Sequence, residues 1–337
     1  MRELKNVVLE ITNRCNLHCS HCCTDSGKEQ ENQLTDSEIY SIIDQLFEMK
    51  VQRLGITGGE PFCDQHLLDY LAYAKERIPV ISIATNGYYI NEQMISKLKS
   101  LGVHKFAISL DGMKEYHNQL RGSHNSFEKA ITAIQLLVKA NMEVKVRSVV
   151  NKENRESILN LIKITNELGV KRHEIMPVCP LGRADEKMCL ESKEYYEFLK
   201  DVIVTIQNLE PIKIMYQLKP VFQEQDLFLG VPNEIREKSL AYRCDAFDDS
   251  LQITSVGDVI GCSFVRTSVG NIRFHSLQKL WNFPQTLQLY HLIHDQNKTG
   301  RCKDCLRNEL CNGGCFANQN EEQTDRYCFV RRLKNVL

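Results

Sequence analysis

Residues 4–22 read LKNVVLEITNRCNLHCSHC, in which an apolar, strand-like run leads into a loop that carries Cys15, Cys19 and Cys22. Thiolates are the usual ligands of iron-sulfur clusters. Three of them from one tight loop can hold three irons of a [4Fe–4S] cube and leave the fourth iron open to a reagent. A strand that ends in such a loop predicts a metal-dependent α/β protein.

Zinc is the alternative occupant of this loop. The three thiolates together with His18 or His21 would form a Cys3His site, a common structural zinc arrangement. The spacing of the cysteines alone does not distinguish an iron-sulfur cluster from a zinc site, so the assignment depends on the downstream sequence.

The composition predicts a soluble globular protein. The chain has 337 residues, of which 42% are hydrophobic and 25% charged, and its net charge of -1 favours neither nucleic acid nor an anionic membrane. It lacks the apolar segment of a signal peptide and any run long enough to span a membrane, so we expect a cytoplasmic protein. In that compartment its 14 cysteines indicate metal or redox chemistry rather than disulfides.

Apolar periodicity predicts alternating strands and helices. Strands are expected at 4–11, 53–57, 80–85, 105–110, 144–150 and 171–176. Helices are expected from a capping box at 35–38 and near 65–77, 92–101, 127–140, 155–168 and 192–207. Six βα units imply a parallel sheet that closes into a barrel or stays partly open, with its chemistry at the carboxyl ends of the strands.

Several polar motifs follow predicted strands and therefore belong to one rim. After the cysteine loop come Thr57-Gly-Gly-Glu-Pro61, Thr85-Asn-Gly87 and Ser109-Leu-Asp111. Glycines at such a position let the backbone approach a ligand closely.

A CX3CX2C loop followed by Gly-Gly-Glu-Pro on the next strand resembles the radical S-adenosylmethionine (SAM) enzymes. The resemblance implies a partial (β/α)6 barrel in which the open iron chelates SAM and the cluster cleaves it reductively to a 5'-deoxyadenosyl radical. It also implies contacts to SAM from His21, Gly58, Gly59, Glu60, Pro61, Asn86, Ser109 and Arg121.

A second cysteine-rich segment begins at Cys244. Its order of cysteines resembles the SPASM extension of peptide-modifying radical SAM enzymes, and seven thiols could also fill structural zinc sites. The resemblance implies two auxiliary [4Fe–4S] clusters, three clusters in all. One would be held by Cys302, Cys305, Cys311 and Cys328, and the other by Cys244, Cys262 and Cys315.

The second auxiliary cluster has one thiol too few. Residues 245–261 contain no cysteine, so its fourth iron would be open or would take an oxygen from Asp245, Asp248 or Asp249. In sulfatase-maturing relatives an aspartate that acts as base follows the second cysteine of this segment. Ser263 stands there in this chain, which argues against the same dehydrogenation.

These motifs divide the chain into a radical SAM core at 1–182, a helical bridge at 183–243 and a SPASM domain at 244–337. The resemblance implies modification of a ribosomally made peptide by crosslinking, thioether formation, oxidation or epimerisation. A sugar, an amino acid or a tetrapyrrole is the alternative substrate. A zinc-stabilised binding module and a multi-cluster electron carrier are alternatives of other classes, although an electron carrier has no need of Gly-Gly-Glu-Pro.

The partners expected from the resemblance are a peptide and a reductant such as a flavodoxin or a ferredoxin. Because the first strand-like run starts so near Met1, we expect peptide recognition by a separate leader-binding protein or by the rim itself. The remaining cysteines are expected to be small buried hydrophobes: Cys23, Cys63, Cys179 and Cys189. Among them, Cys63 is the candidate to test as a hydrogen donor or substrate contact, because it follows the glycine motif.

Overall fold

The computed structural model describes residues 2–211, 215–218, 244–294, 314–318 and 325–327. Its strands all belong to one sheet. They are β1 (Asn6–Glu10), β2 (Arg53–Thr57), β3 (Val80–Thr85), β4 (Lys105–Ser109), β5 (Glu143–Val150), β6 (Arg172–Pro177), β7 (Met215–Leu218), β8 (Ser250–Ile253) and β9 (Val259–Ile260).

Helices connect most of these strands. They are α1 (Asp36–Glu48), α2 (Leu67–Lys75), α3 (Glu92–Ser100), α4 (Lys114–Arg121), α5 (Ser126–Lys139), α6 (Arg155–Glu167), α7 (Ser192–Gln207), α8 (Leu277–Trp281) and α9 (Pro284–His294). The predicted capping box starts α1: Thr35 accepts from the Glu38 amide, and the Glu38 carboxylate accepts from the Thr35 amide at 2.8 Å. Among the described helices, none is long and apolar enough to cross a membrane.

The sheet order is β7-β6-β5-β4-β3-β2-β1-β8-β9. Every pairing is parallel except that of β8 with β9. The predicted parallel α/β sheet is therefore confirmed. The C-terminal segment contributes to it directly, because β8 pairs with β1 from Asn6↔Ser250 to Leu9↔Ile253.

The two faces of the sheet differ in character. On β5, Val144 and Val146 belong to the hydrophobic core, whereas Lys145 and Arg147 point to the other face and form ion pairs with Glu174 of β6. Sequential parallel strands joined by right-handed crossovers place their helices on one side. The polar side of the sheet is thus the side that lacks these helices.

The sheet curls. The loop after β6 reaches the cysteine loop after β1, where the Arg183 amide donates to the Cys22 carbonyl at 2.9 Å. Five strand spacings would separate β6 from β1 by about 24 Å in a flat sheet. The contact between the two loops therefore requires strong curvature, as in a partial barrel.

Candidate functional site

The loops after β1 and β2 are joined through their backbones. The Gly59 amide donates to the Thr12 carbonyl and the Glu60 amide to the Arg14 carbonyl, both at 2.8 Å. The glycine motif and the cysteine loop are thus one continuous surface at the carboxyl ends of neighbouring strands.

Gly58 and Gly59 are required by this junction. A Cβ on Gly58 would lie 2.3 Å from the Thr12 carbonyl oxygen, and a Cβ on Gly59 would lie 2.3 Å from that of Arg14. Gly58 also has φ +153°, which disfavours other residues. The glycines therefore let the motif approach the cysteine loop, a packing reason that the sequence did not reveal.

Glu60 is fully buried and joins β2 to β3. Its carboxylate accepts from the Thr85 hydroxyl and the Asn86 amide, both at 2.7 Å, and from the Phe62 amide at 3.3 Å. Burial raises the pKa of Glu60 to about 7 even though these donors favour the ionised form. Glu60 thereby fixes the Thr85-Asn86 turn against the glycine motif.

Asn86 carries this connection back to the cysteine loop. Asn86 Nδ2 donates to Oδ1 of Asn16 at 2.9 Å. Asn86 Oδ1 accepts from the backbone amide of Tyr88, also at 2.9 Å. Asn86 lies one residue beyond β3 and Asn16 one residue beyond Cys15. The loops after β1, β2 and β3 are therefore linked by side chains as well as by backbone.

Arg121 and Asp111 form a buried ion pair beside the cysteine loop. Arg121 donates from Nε and Nη2 to Asp111 Oδ2 at 2.8 and 2.5 Å, and its Nη1 lies 3.8 Å from the Cys19 sulfur. Burial alone would raise the pKa of Asp111, but the Arg121 guanidinium together with His21, His117 and the Val149 amide outweighs burial and lowers the pKa to about 2. Asp111 is a positioning residue that the sequence placed on the rim without giving it a role.

His21 faces the same carboxylate. Its Nε2 lies 3.6 Å from Asp111 Oδ2, and burial lowers the pKa of His21 to about 4, so the ring is neutral at pH 7. Its Nδ1 is buried and has no hydrogen-bond partner among the described residues. An orphaned buried nitrogen at this position fits a ligand that supplies a polar group.

The three loop thiols differ in environment. Burial raises the pKa of Cys15 to about 12 and also raises that of Cys19. Burial would do the same at Cys22, but hydrogen bonds from Thr24 and Ser26 lower its pKa. Among the described residues, no three His, Cys, Asp or Glu side chains converge on a point that suits a single metal ion.

Ser109 and Cys63 take different places on the rim. Ser109 ends β4 on the polar face and pairs in register with Arg147 of β5. Cys63 is half-buried in the short 3-10 helix Pro61–Cys63, with its sulfur 3.7 Å from the Tyr89 hydroxyl. Burial raises the pKa of Cys63, which keeps it a thiol.

The described cysteines of the C-terminal segment come together. Burial raises the pKa of Cys315, and the nearby thiols of Cys244 and Cys262 raise it further. Burial also raises the pKa of Cys244 to about 12. Asp325, which the sequence analysis missed, is buried and accepts from the Cys315 amide at 2.7 Å. The other predicted ligands, Cys302, Cys305, Cys311 and Cys328, lie outside the described residues.

Ser263 belongs to a hydrogen-bonded polar network on the polar side of the sheet. Its hydroxyl donates to the Gln252 side-chain oxygen at 2.8 Å, and the Gln252 amide donates to Glu10 at 2.5 Å. Arg266 reaches the same Glu10 oxygen at 3.3 Å. Ser263 therefore has a hydrogen-bonding partner that gives it a structural role.

Comparison with known proteins agrees with this arrangement. A model of the radical SAM superfamily matches residues 9–188, more than half of the chain. A model of the iron-sulfur cluster-binding SPASM domain matches residues 244–306. The chain therefore belongs to the radical SAM superfamily, a class of enzymes that use SAM and an iron-sulfur cluster. It is a member that carries a SPASM domain.

Two curated relatives match nearly the whole chain. The AdoMet-dependent heme synthase of Methanosarcina barkeri is 25% identical over 96% of this chain and 96% of its own length. The antilisterial bacteriocin subtilosin biosynthesis protein AlbA of Bacillus subtilis is 26% identical over 96% of this chain and 70% of its own. The crystal structure of Streptococcus suis SuiB bound to S-adenosylmethionine shares the fold, with TM-score 0.73, 18% identity and coverage of 97% of this chain and 76% of SuiB.

Proposed function

We propose that this enzyme binds SAM at a [4Fe–4S] cluster held by Cys15, Cys19 and Cys22 and modifies a ribosomally synthesised peptide. The observation that supports the cluster is the single surface formed by the cysteine loop and the glycine motif, joined by the 2.8 Å bonds from Gly59 and Glu60. Reductive cleavage of the bound SAM would supply a 5'-deoxyadenosyl radical that abstracts hydrogen from the substrate.

The chain's own residues fit this ligand. The buried Nδ1 of His21, which has no hydrogen-bond partner in the described part of the chain, is a polar atom available to SAM. Asn86, Ser109 and Arg121 lie at or just after the ends of β3, β4 and α4 on the same rim. In this proposal Asp111 holds Arg121 in place at 2.8 Å, and Glu60 holds the turn that carries Asn86. These residues orient the cofactor and exclude water from it.

The C-terminal segment is proposed to hold two auxiliary clusters, which with the first makes three. Support for one of them is the grouping of Cys244, Cys262 and Cys315, whose thiols influence one another. Asp245 and Asp248 also act on the Cys244 thiol, in keeping with a carboxylate as a further ligand. In this division of the chain, 1–182 forms the SAM site, 183–243 a bridge and 244–337 the auxiliary site.

A peptide substrate is supported by sequence similarity along the whole chain to AlbA, which is named for biosynthesis of a bacteriocin. The match to SPASM agrees with it, because this extension resembles that of peptide-modifying members. We further propose a flavodoxin or ferredoxin as reductant and a separate leader-binding protein as a partner.

A second candidate substrate is a heme precursor. It is favoured by the relative from Methanosarcina barkeri, a heme synthase that this chain matches over 96% of both lengths. The two candidates predict different products from one enzyme, so a single pair of assays separates them.

The test is anaerobic co-expression of the enzyme with each short peptide that its gene neighbourhood encodes, followed by mass spectrometry of the peptides. We expect a mass change that disappears when Cys15, Cys19 and Cys22 are all replaced by alanine, because the loop then cannot bind its cluster. The same preparations are incubated with an iron porphyrin that carries propionate side chains.

Conversion of the porphyrin with no change in any peptide would replace the peptide proposal by the second candidate. Metal analysis of the purified enzyme tests the clusters separately: about twelve irons are expected for three of them. An iron content near zero with stoichiometric zinc would overturn the cluster assignment.

A further inference from the structure

One arginine of the loop after β6 forms hydrogen bonds with the cysteine loop. Arg183 follows Gly182, and its side chain is only 16% exposed although it carries a full charge. The Arg183 amide donates to the Cys22 carbonyl at 2.9 Å, and its Nε donates to the Cys19 carbonyl at 2.8 Å. Two of the three proposed cluster ligands therefore have their carbonyls fixed by this residue.

The rest of the guanidinium holds the end of the same loop. Nη1 of Arg183 donates to the Ser26 carbonyl at 2.8 Å and to the Asp25 carboxylate at 2.7 Å. Bonds from one rigid fork to several acceptors fix their relative positions, which the single ammonium of lysine cannot do. Arg183 thus sets the shape of residues 19–26.

Gly182 makes this approach possible. It has φ +62°, and a Cβ there would lie 2.3 Å from the Cys22 carbonyl oxygen. The backbone of the β6 loop is consequently in contact with the backbone of the cysteine loop.

The charge of Arg183 is neutralised less by its carboxylate partner than is the charge of Arg121, which also lies beside the cysteine loop. Arg121 is paired at 2.8 and 2.5 Å with Asp111, which is fully buried, so their charges offset each other in a medium of low dielectric constant. Asp25, the partner of Arg183, has a side chain that is 68% exposed, and water screens its charge. A net positive field from Arg183 therefore remains at the cysteine loop.

We propose that Arg183 is a positioning residue for the N-terminal cluster that also raises the reduction potential of that cluster. Reduction adds a negative charge to the cluster, and a nearby cation stabilises the reduced state. The net charge around a cluster is one of the quantities that set its potential. This inference rests on the proposed cluster at Cys15, Cys19 and Cys22.

The test compares Arg183→Met, Arg183→Lys and the control Arg77→Met in reconstituted, anaerobic enzyme. Arg77 is also a partly buried arginine paired with an aspartate, but it lies on the helical side, with Nε 3.0 Å from Asp44. The potential is measured by redox titration of the electron paramagnetic resonance signal that changes when SAM is added, which selects the N-terminal cluster. Hydrogen exchange of residues 15–27 is measured on the same samples.

We expect Arg183→Met to lower the equilibrium constant for one-electron reduction about tenfold, equal to about 59 mV. It should also speed hydrogen exchange of the loop. Arg183→Lys should restore the potential while exchange stays fast, because it keeps the charge and loses the fork. Arg77→Met should change neither.

An unchanged potential in Arg183→Met, or an equal shift in Arg77→Met, would overturn the electrostatic part of the inference. Unchanged exchange in both Arg183 variants would overturn the positioning part. Should Arg183→Met fail to hold the cluster, Arg183→Gln, which also removes the charge, takes its place in the redox titration, and the exchange rates of Arg183→Lys still decide the positioning part. Absence of a SAM-sensitive signal in the unaltered enzyme would instead overturn the proposed cluster, and none of these measurements depends on the substrate.

Discussion

Cys63 faces the phenol of Tyr89 at 3.7 Å and lies in the 3-10 helix that follows Glu60. Its nearest charged neighbours include Arg14 and Glu60, both on the loops that form the cysteine surface. A half-buried thiol with a hydrogen-bonding neighbour is explained by packing alone. We therefore expect Cys63 not to be a hydrogen donor, although it is the cysteine that the sequence singled out.

Cys63→Ala should retain product formation to within about twofold, since loss of one half-buried sulfur removes no ligand. The measurement is the yield of 5'-deoxyadenosine and of modified substrate from the same reaction. Cys189→Ala, which removes a buried thiol elsewhere, is the matched control. Normal 5'-deoxyadenosine with product lost in the Cys63 variant alone would identify Cys63 as a hydrogen donor.

Residue by residue, the sequence could reveal the side chains that belong to short motifs. The cysteine loop and Gly58 to Pro61 are contiguous, so their spacing alone identifies them. Arg183 and Asp325 were missed because each acts on a segment ten or more residues away, and no local pattern records that contact. Long-range contacts of single polar residues are visible only in the folded chain.

At the level of elements, His173 ties β6 to its neighbours. It is fully buried, with Nε2 2.8 Å from the Ser148 hydroxyl of β5 and Nδ1 3.0 Å from the Thr165 hydroxyl of α6. Burial lowers the pKa of His173 to about 3. Its folded pKa is below its unfolded one, so protons bind preferentially to the unfolded chain and stability is lost as pH falls below about 6.5.

His173→Gln should therefore make unfolding less sensitive to acid. Between pH 7.5 and 5.5 the unaltered protein should lose about 1.4 kcal/mol more of its free energy of unfolding than the variant does. Urea denaturation at the two pH values measures this difference. The contributions of the other buried histidines cancel because they are the same in the unaltered protein and the variant. A pH dependence in His173→Gln equal to that of the unaltered protein would contradict the assignment.

The six predicted strands agree with β1 to β6 to within two residues at their ends, but α4 and β7, which lies within the predicted helical bridge, were not predicted. Strands such as β3 and β5 alternate between buried and less buried positions, and this period of two is easily recognised. The helix Lys114–Arg121 instead buries His117, Leu120 and Arg121, so its inward face is largely polar. Periodicity of apolar residues cannot detect a helix whose buried face carries a guanidinium for an ion pair.

At the scale of the whole molecule, the two groups of cysteines share one sheet. The first loop follows β1, and Cys262 follows β9, which is joined to β1 through β8. Ser263 and Gln252 on that side connect by hydrogen bonds to Glu10 at the end of β1. The C-terminal segment is therefore built onto β1, which leads into the cysteine loop, rather than attached at a distance.

Replacing Cys244, Cys262 and Cys315 together by alanine should remove about four irons and leave SAM cleavage in place. Product formation should fall by at least about tenfold, because the auxiliary site adjoins the polar side of the sheet, where the substrate is expected to bind. Iron analysis, 5'-deoxyadenosine yield and product yield are measured on one preparation. Full iron content would contradict the ligand assignment, and full product yield would contradict a role in the reaction.

The pairing of β1 with β8 also has a consequence for synthesis of the chain. Asn6 is paired with Ser250, so one edge of β1 has no partner until some 240 further residues have been made. At 5–20 residues per second this takes about 12 to 50 s, during which an apolar strand edge and the adjacent thiols of the cysteine loop are open to other chains and to oxidants. We therefore expect that protection of the nascent N-terminus raises the yield of correctly folded enzyme.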